Sequence, residues 1–248
     1  MRCEWILTLF LAAAPAIAAQ SAIPSGTILP ISLDTSLNAA RVHPGEMIKA
    51  TVMQDVPGTA IHRRAKVVGT VISAGATPGS RVRLEIRFDG VSVHGKIEPF
   101  TSDLRAVASL LEVEEAQVPE DMSSRGLTPE TWTTQQIGGD QVYRGGGPVA
   151  VGVTAVGEVT PWGALDLPRI RPGESCRGAV GEATGPQAMW LFSSDACGVY
   201  GLEGVRIEHA GRSNPLGTIV LTSTSGKLKL GNGTGMLLRI SVGGRSGV

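Results

Sequence analysis

Apolar and polar side chains alternate along much of the chain. The pattern is cleanest from Arg81 to Phe88, where Val82, Leu84, Ile86 and Phe88 fall on one face and Arg81, Arg83, Glu85 and Arg87 on the other. That period of two predicts a strand with one face in the core and a charged face in water. Asp89-Gly90 then reads as a hairpin turn into Val91-Ser92-Val93-His94. Met47–Met53 alternates in the same way, and Lys66–Ala74 is rich in β-branched residues. Thr27–Leu33 alternates in part. Pro30 cannot donate to a ladder, which places that segment at a sheet edge or a strand start. Val149, Val151, Val153 and Ala155 alternate with small residues, and Ala188–Phe192 is a short apolar run. Val205–Glu208, Gly217–Ser223, Leu228–Leu230 and Met236–Val242 follow, with turn signals at Thr224–Lys227 and Asn232-Gly233. Runs spaced roughly 8–12 residues apart predict a mainly β fold of sandwich or barrel type.

One segment breaks the period. Leu104, Val107, Ala108 and Leu111 stand at i, i+3, i+4 and i+7, which predicts a short helix over Asp103–Gln117 with Ser102 as its cap. A strand continuing from Ile97 to Ala108 is the alternative. Pro119–Pro148 reads as a long connection punctuated by Gly138-Gly139 and Gly145-Gly146-Gly147. The expected organisation is a β domain over 19–100, a helix and Gly/Pro-rich connector over 101–148, and a second β region over 149–248.

The first 18 residues have a different character. Arg2 supplies a positive charge, Trp5–Ala14 is almost wholly apolar, and Ala16-Ile17-Ala18 is an A-x-A cleavage pattern. This is the signature of a secretory signal peptide. It is too short for a membrane span, which needs roughly 20 apolar residues. Cys3 precedes the apolar run, which disfavours lipoprotein processing. Cleavage after Ala18 makes the mature chain periplasmic or extracellular, without a transmembrane span. That address argues against ATP- or NAD-driven chemistry. The full chain has 22 basic and 22 acidic residues, with no basic stripe to suggest nucleic acid. Once Cys3 leaves with the signal, Cys176 and Cys197 remain, and a disulfide between them is the default in an oxidising compartment. In the chain-entropy model a loop of that size contributes about 3 kcal/mol.

A scan for chemistry assigns no catalytic, cofactor-binding or metal-binding residue. Gly173-Glu174-Ser175-Cys176-Arg177-Gly178 is one residue too long for a nucleophile elbow. The four His, at 43, 62, 94 and 209, are isolated in sequence. Gly231–Gly235 precedes a strand and not a helix, so it reads as a hairpin turn and not as a phosphate loop. The arginines of Arg81–Arg87 read either as an anion site or as a solvated face, and Glu112, Glu114 and Glu115 as a solvated helix face. Trp190, Phe192 and Tyr200 gather beside Cys197 in a chain poor in aromatics. They form a candidate binding loop, the alternative being that Trp190 and Phe192 belong to the core.

Ile23-Pro24-Ser25-Gly26-Thr27-Ile28-Leu29-Pro30 resembles the opening of the β-domain of TrbI-type conjugal transfer proteins, components of type IV secretion channels. Arg41–Val52 around Pro44-Gly45-Glu46 is similar to the glycine-linked strand that follows in that family. At Ile61–Val71 the strand matches, but His62 and Arg64 stand where the family carries Pro and Gly. The likeness covers about 50 residues, and the family's membrane anchor, proline-rich stretch and helical antenna have no counterpart here. Ala188–Gly201 and Gly217–Thr222 are similar to secreted β-rich proteins of acidobacterial type, a likeness that implies no activity. Together these readings predict a non-enzymatic envelope protein that binds or assembles with an envelope partner. Two alternatives stand beside it: an accessory component of a secretion or conjugation apparatus, and a periplasmic hydrolase whose site assembles only in three dimensions. Oligomeric state is not legible.

Overall fold

The computed structural model describes residues 23–56, 58–77, 81–117 and 196–241, with shorter stretches at 133–135, 137, 141–143, 147–151, 154–159, 165–166, 187–188 and 190–192. Residues 1–22, which include the expected signal peptide, and much of the 119–148 connection lie outside the described residues. The first half runs β1 (Ile28–Leu33), β2 (Leu37–Asn38), β3 (Met47–Val52), β4 (Lys66–Thr77), β5 (Arg81–Val93), β6 (Lys96–Pro99) and β7 (Thr101–Ala108), then helix α1 (Leu110–Gln117). Three two-stranded pairs follow: β8 (Thr133–Gln135) with β9 (Gln141–Tyr143), β10 (Gly147–Val151) with β11 (Thr154–Val159), and β12 (Leu165–Asp166) with β13 (Gln187–Ala188). The last elements are β14 (Gly198–Tyr200), β15 (Val205–Ala210), β16 (Ile219–Ser223), β17 (Lys229–Leu230) and β18 (Gly235–Ser241). Strands make up 54% and helix 6% of the described residues, so the mainly β expectation holds.

One ten-stranded sheet organises the molecule, in the order β14-β7-β18-β1-β3-β4-β5-β16-β15, with β6 also pairing β5. The expected division into an N-terminal and a C-terminal β unit is not followed by the hydrogen bonding. The late strand β18 lies between β1 and β7, and β16 extends the sheet from β5. Both halves of the sequence therefore build one sheet. It is not a closed barrel: β14 and β15, the strands that end this order, share no ladder.

Side-chain alternation sends one face of this sheet into a large core. Leu29, Ile31 and Leu33 of β1, Ile48, Ala50 and Val52 of β3, Leu84, Ile86 and Phe88 of β5, and Leu238 and Ile240 of β18 are all buried in it. Each large apolar side chain so buried contributes about 1.5–3 kcal/mol. A second, smaller core covers the opposite face of β1, β18 and β7. There Ile28, Leu237, Ala106 and Ala108 meet Val113 and Ala116 of α1, with Ile137, Trp190, Leu191 and Phe192.

Three local expectations are corrected. The helix begins at Leu110 and not at Asp103, because Leu104, Val107 and Ala108 belong to β7. A β-bulge explains the misleading spacing. Leu237 pairs Ala106 and Leu238 pairs Leu104, so Arg105 is an extra residue. The insertion leaves Leu104 and Val107, three apart, both in the large core. The helix cap is Ser109, whose Oγ accepts the Glu112 amide at 3.3 Å. Asp89-Gly90 is not a turn: β5 runs through it, and the chain reverses at His94-Gly95, both with positive φ. Gly90 is needed for close approach, since a Cβ there would lie 2.6 Å from Ile97 Cγ2 and 3.0 Å from the Glu98 carbonyl. Finally, β1 is interior, flanked by β18 and β3. Pro30 is tolerated because the β1–β3 pairing starts only at Ile31. Its carbonyl accepts the Met53 amide just past the end of β3.

Candidate functional site

The gap between the two sheet edges is the most site-like feature of the fold. β14 lies parallel to β7, pairing only Ala106–Ala108. The chain then turns through Gly201 and Gly204, both with positive φ, and returns as β15. At the far end the segment after β15 comes back to β7, where Arg212 Nε donates to Asp103 Oδ1 at 3.3 Å. Between the turn and this ion pair the edges leave a groove of about 570 Å³.

Its floor is apolar. Leu104 belongs to the large core, against which Val199, Val205 and Ile207 are half-buried. Its rim is polar and carries Arg206, Glu208, His209 and Ser213, with Arg212 at the closed end, while Arg105 lies buried beneath it and donates from Nε to the Ala196 carbonyl at 3.1 Å. Strand parity fixes which backbone groups face it. The Gly204 carbonyl accepts the Thr224 amide on the β16 side, so the N–H and C=O of Ile207 turn the other way, into the seam. The Tyr200 carbonyl accepts the Ser109 amide beyond β7, so the N–H and C=O of Val199 also face the seam. Both lips of the groove thus present backbone donors and acceptors that no ladder among the described residues pairs.

Asp103 holds the closed end. It is 2% exposed, and its Oδ2 accepts from Arg239 Nε at 2.8 Å and Nη2 at 2.7 Å. Arg239 faces it on β18, whereas Arg212 reaches it from the β15 edge. One carboxylate therefore ties an interior strand pair to the free edge of the sheet.

His209 sits at the bulge that ends β15. Its Nδ1 lies 2.7 Å from the Thr218 carbonyl oxygen and 3.1 Å from the Gly211 amide. One ring nitrogen cannot serve both, and the shorter carbonyl contact selects the Nδ1–H tautomer. Nε2 then accepts from the Ser213 hydroxyl at 3.0 Å. Among the four His this is the one placed in the groove. His43, His62 and His94 are exposed elsewhere, with His62 Nδ1 3.4 Å from Asp55. Ser175, Cys176 and Asp195 lie outside the described residues.

The candidate aromatic loop is largely interior. Trp190 is 3% exposed, Phe192 is fully buried, and their rings meet edge to face at 6.4 Å. Their apolar mass covers the outer face of the sheet, so neither ring is displayed for contact. Tyr200 is half-buried, and its hydroxyl donates to the Cys197 carbonyl and accepts the Cys197 amide. Two of the three arginines on the charged face of β5 are held in ion pairs, and Arg81 is exposed. Arg83 binds Glu85 at 2.7 Å and Glu208 at 3.3 Å, and Arg87 binds Asp89 at 2.6 Å. Glu114 and Glu115 are exposed, as a solvated helix face requires. Gly231–Gly235 is the turn into β18, where the Gly233 amide donates to the Leu33 carbonyl. Among the described residues no helix is long and apolar enough to cross a membrane. No protein-family model matches the sequence, and no curated protein matches it.

Proposed function

We propose that this is a non-enzymatic, secreted or periplasmic envelope protein that acts by binding or assembly, and that the seam between β14 and β15 is its contact surface. The observation that carries the reading is the pair of facing, unladdered sheet edges over an apolar floor. Free strand edges are templates for pairing with another chain, and folds that have no use for them usually cover them. The export reading rests on the segment ending at Ala18, with the mature chain starting at Ala19. A disulfide between Cys176 and Cys197 belongs to the same reading, as an even pair of cysteines in an oxidising compartment.

The hydrolase alternative has one observation in its favour, the Ser213–His209 contact. A main-chain carbonyl, and not a carboxylate, orients that imidazole. Treatment with a fluorophosphonate probe separates the readings: no adduct is expected, and stoichiometric labelling of Ser213 would replace the binding reading with an enzymatic one. The binding reading itself is tested by native size-exclusion of the tagged protein from gently solubilised envelopes. A discrete complex with a partner is expected. A species of monomer size that acquires no partner on crosslinking would sink it. A complex made of secretion-channel components would identify the accessory-apparatus form of the same reading.

A further inference from the structure

We propose that a second pocket, at the β2–β17 pair, is a binding site for a hydroxylated anion of the class of sugar acids and sugar phosphates. It shares no lining residue with the seam and does not depend on the assembly reading.

The pocket measures about 460 Å³ and is lined by Ser36, Asn38, Arg41, Val42, Glu46 and Lys229. Small-molecule sites span about 300–1,000 Å³, so a ligand of one sugar ring is within its reach. The fold assembles it from distant segments. Lys229 and Asn38 stand directly opposite each other in the β2–β17 ladder. Their strand neighbours Leu37 and Leu230 are buried in the large core, so Asn38 and Lys229 project from the other face. The chain then folds back on itself, and the Asn38 carbonyl accepts the amides of Arg41 and Val42 at 2.7 and 2.9 Å. Val42 is 9% exposed and gives the pocket one apolar wall. Glu46 enters from the turn that follows, where Gly45 has a φ of 85°.

The hydrogen bonds already made show what each group has left to offer. Asn38 Oδ1 accepts the Ala40 amide at 3.1 Å, which leaves Nδ2 to donate. Ser36 Oγ accepts the Asn232 amide at 2.9 Å, which leaves its O–H to donate. Arg41 and Lys229 are exposed and make no ion pair among the described residues. Glu46 Oε2 accepts the His43 amide at 3.2 Å, which leaves Oε1 as an acceptor. Two cations and two neutral donors select an oxyanion, since charge-assisted hydrogen bonds are the strong ones. The single carboxylate repels an ion that carries only negative oxygens and accepts from one that also carries a hydroxyl. A sugar acid or a sugar phosphate meets both demands. A neutral sugar leaves the cations without a counter-charge, and sulfate has no proton to give to Glu46.

The test titrates the ¹⁵N-labelled mature chain with glucuronate, glucose 6-phosphate, glucose and sulfate in turn, at constant ionic strength, and follows the amide resonances. Saturable shifts at Asn38, Arg41 and Lys229 are expected with glucuronate or glucose 6-phosphate, at a Kd of about 1 mM or below. Glucose and sulfate should bind at least about tenfold more weakly. Arg41→Gln and Lys229→Gln should each weaken the sugar anion about tenfold. Both side chains are exposed, so the rest of the spectrum should stay unchanged, which separates loss of the site from loss of the fold. Glu46→Gln should narrow the gap between sulfate and glucuronate, because it removes the facing negative charge. No saturation by either sugar anion at about 10 mM would overturn the inference, since a weaker affinity is not a specific site. Equal affinity for glucose or sulfate would overturn it too, as would binding indifferent to both Arg41→Gln and Lys229→Gln. Failure here leaves the envelope complex to be judged by its own experiment.

Discussion

Removing the Asp103 carboxylate should be among the most damaging single changes on the polar side of this fold. Asp103→Ala removes the carboxylate shared by Arg239, whose side chain is 15% exposed, and Arg212, 26% exposed. Breaking a buried charge pair from one side costs about 3–5 kcal/mol, because the surviving charge stays desolvated. The bidentate Arg239 contacts at 2.7 and 2.8 Å account for most of that. The Arg212 contact is longer, at 3.3 Å, and more exposed. It should be worth about 0.5–1.5 kcal/mol. In urea unfolding, Asp103→Ala should therefore lose several times more stability than Arg212→Ala. For a chain of this size, 3 kcal/mol corresponds to a midpoint lowered by roughly 6–12 °C. A double-mutant cycle should assign the larger coupling to Asp103 with Arg239. A cost below about 1 kcal/mol for Asp103→Ala would refute the reasoning, because it would mean that the carboxylate is solvated and the clasp does not bear on the sheet.

Other outcomes follow from the packing. Phe192→Ala should destabilise by about 3–5 kcal/mol in denaturant melts, as expected for a fully buried aromatic; a neutral effect would return Phe192 to the surface. Gly90→Ala should cost about 1–3 kcal/mol, since a Cβ meets Ile97 and the Glu98 carbonyl, and unchanged stability would show that β6 can retreat. Ser109→Ala should cost about 1 kcal/mol through loss of the helix cap, whereas Ser102→Ala should leave the helix content measured by circular dichroism unchanged.

Strands with one buried face were legible because burial imposes a period of two. β3 and the Arg81–Phe88 part of β5 follow it almost residue by residue, and their apolar sets enter the large core. The register irregularities were not legible. A single inserted residue, Arg105, changes the apolar spacing of β7 from two to three, which on paper is the spacing of a helix. Asp89-Gly90 carries turn chemistry, yet Asp89 is held within the sheet by Thr70 and Arg87, and Gly90 makes room for β6. Local propensity gave way there to tertiary contacts. The seam could not be read at all. It joins Leu104 and Arg105 to residues 198–213, and its clasp joins Asp103 to Arg212 and Arg239 across 109 and 136 positions. A period-two pattern states which face of a strand is buried, but not which edges remain unpaired. His209 and Ser213 carried a weak signal, a Ser four residues after a His at the end of an alternating run, which gains meaning only once the bulge and the Thr218 carbonyl orient the ring.

The open seam is the central claim, and amide hydrogen exchange on the free protein tests it most directly. Ile86 and Leu238 lie on strands paired on both sides and should be strongly protected. The amides of Val199 and Ile207 should exchange orders of magnitude faster, at rates set by solvent access, and should gain protection when the groove is filled. Protection of Val199 and Ile207 equal to that of Ile86 in the free protein would mean that β14 and β15 are laddered together, and the proposed contact surface would not exist.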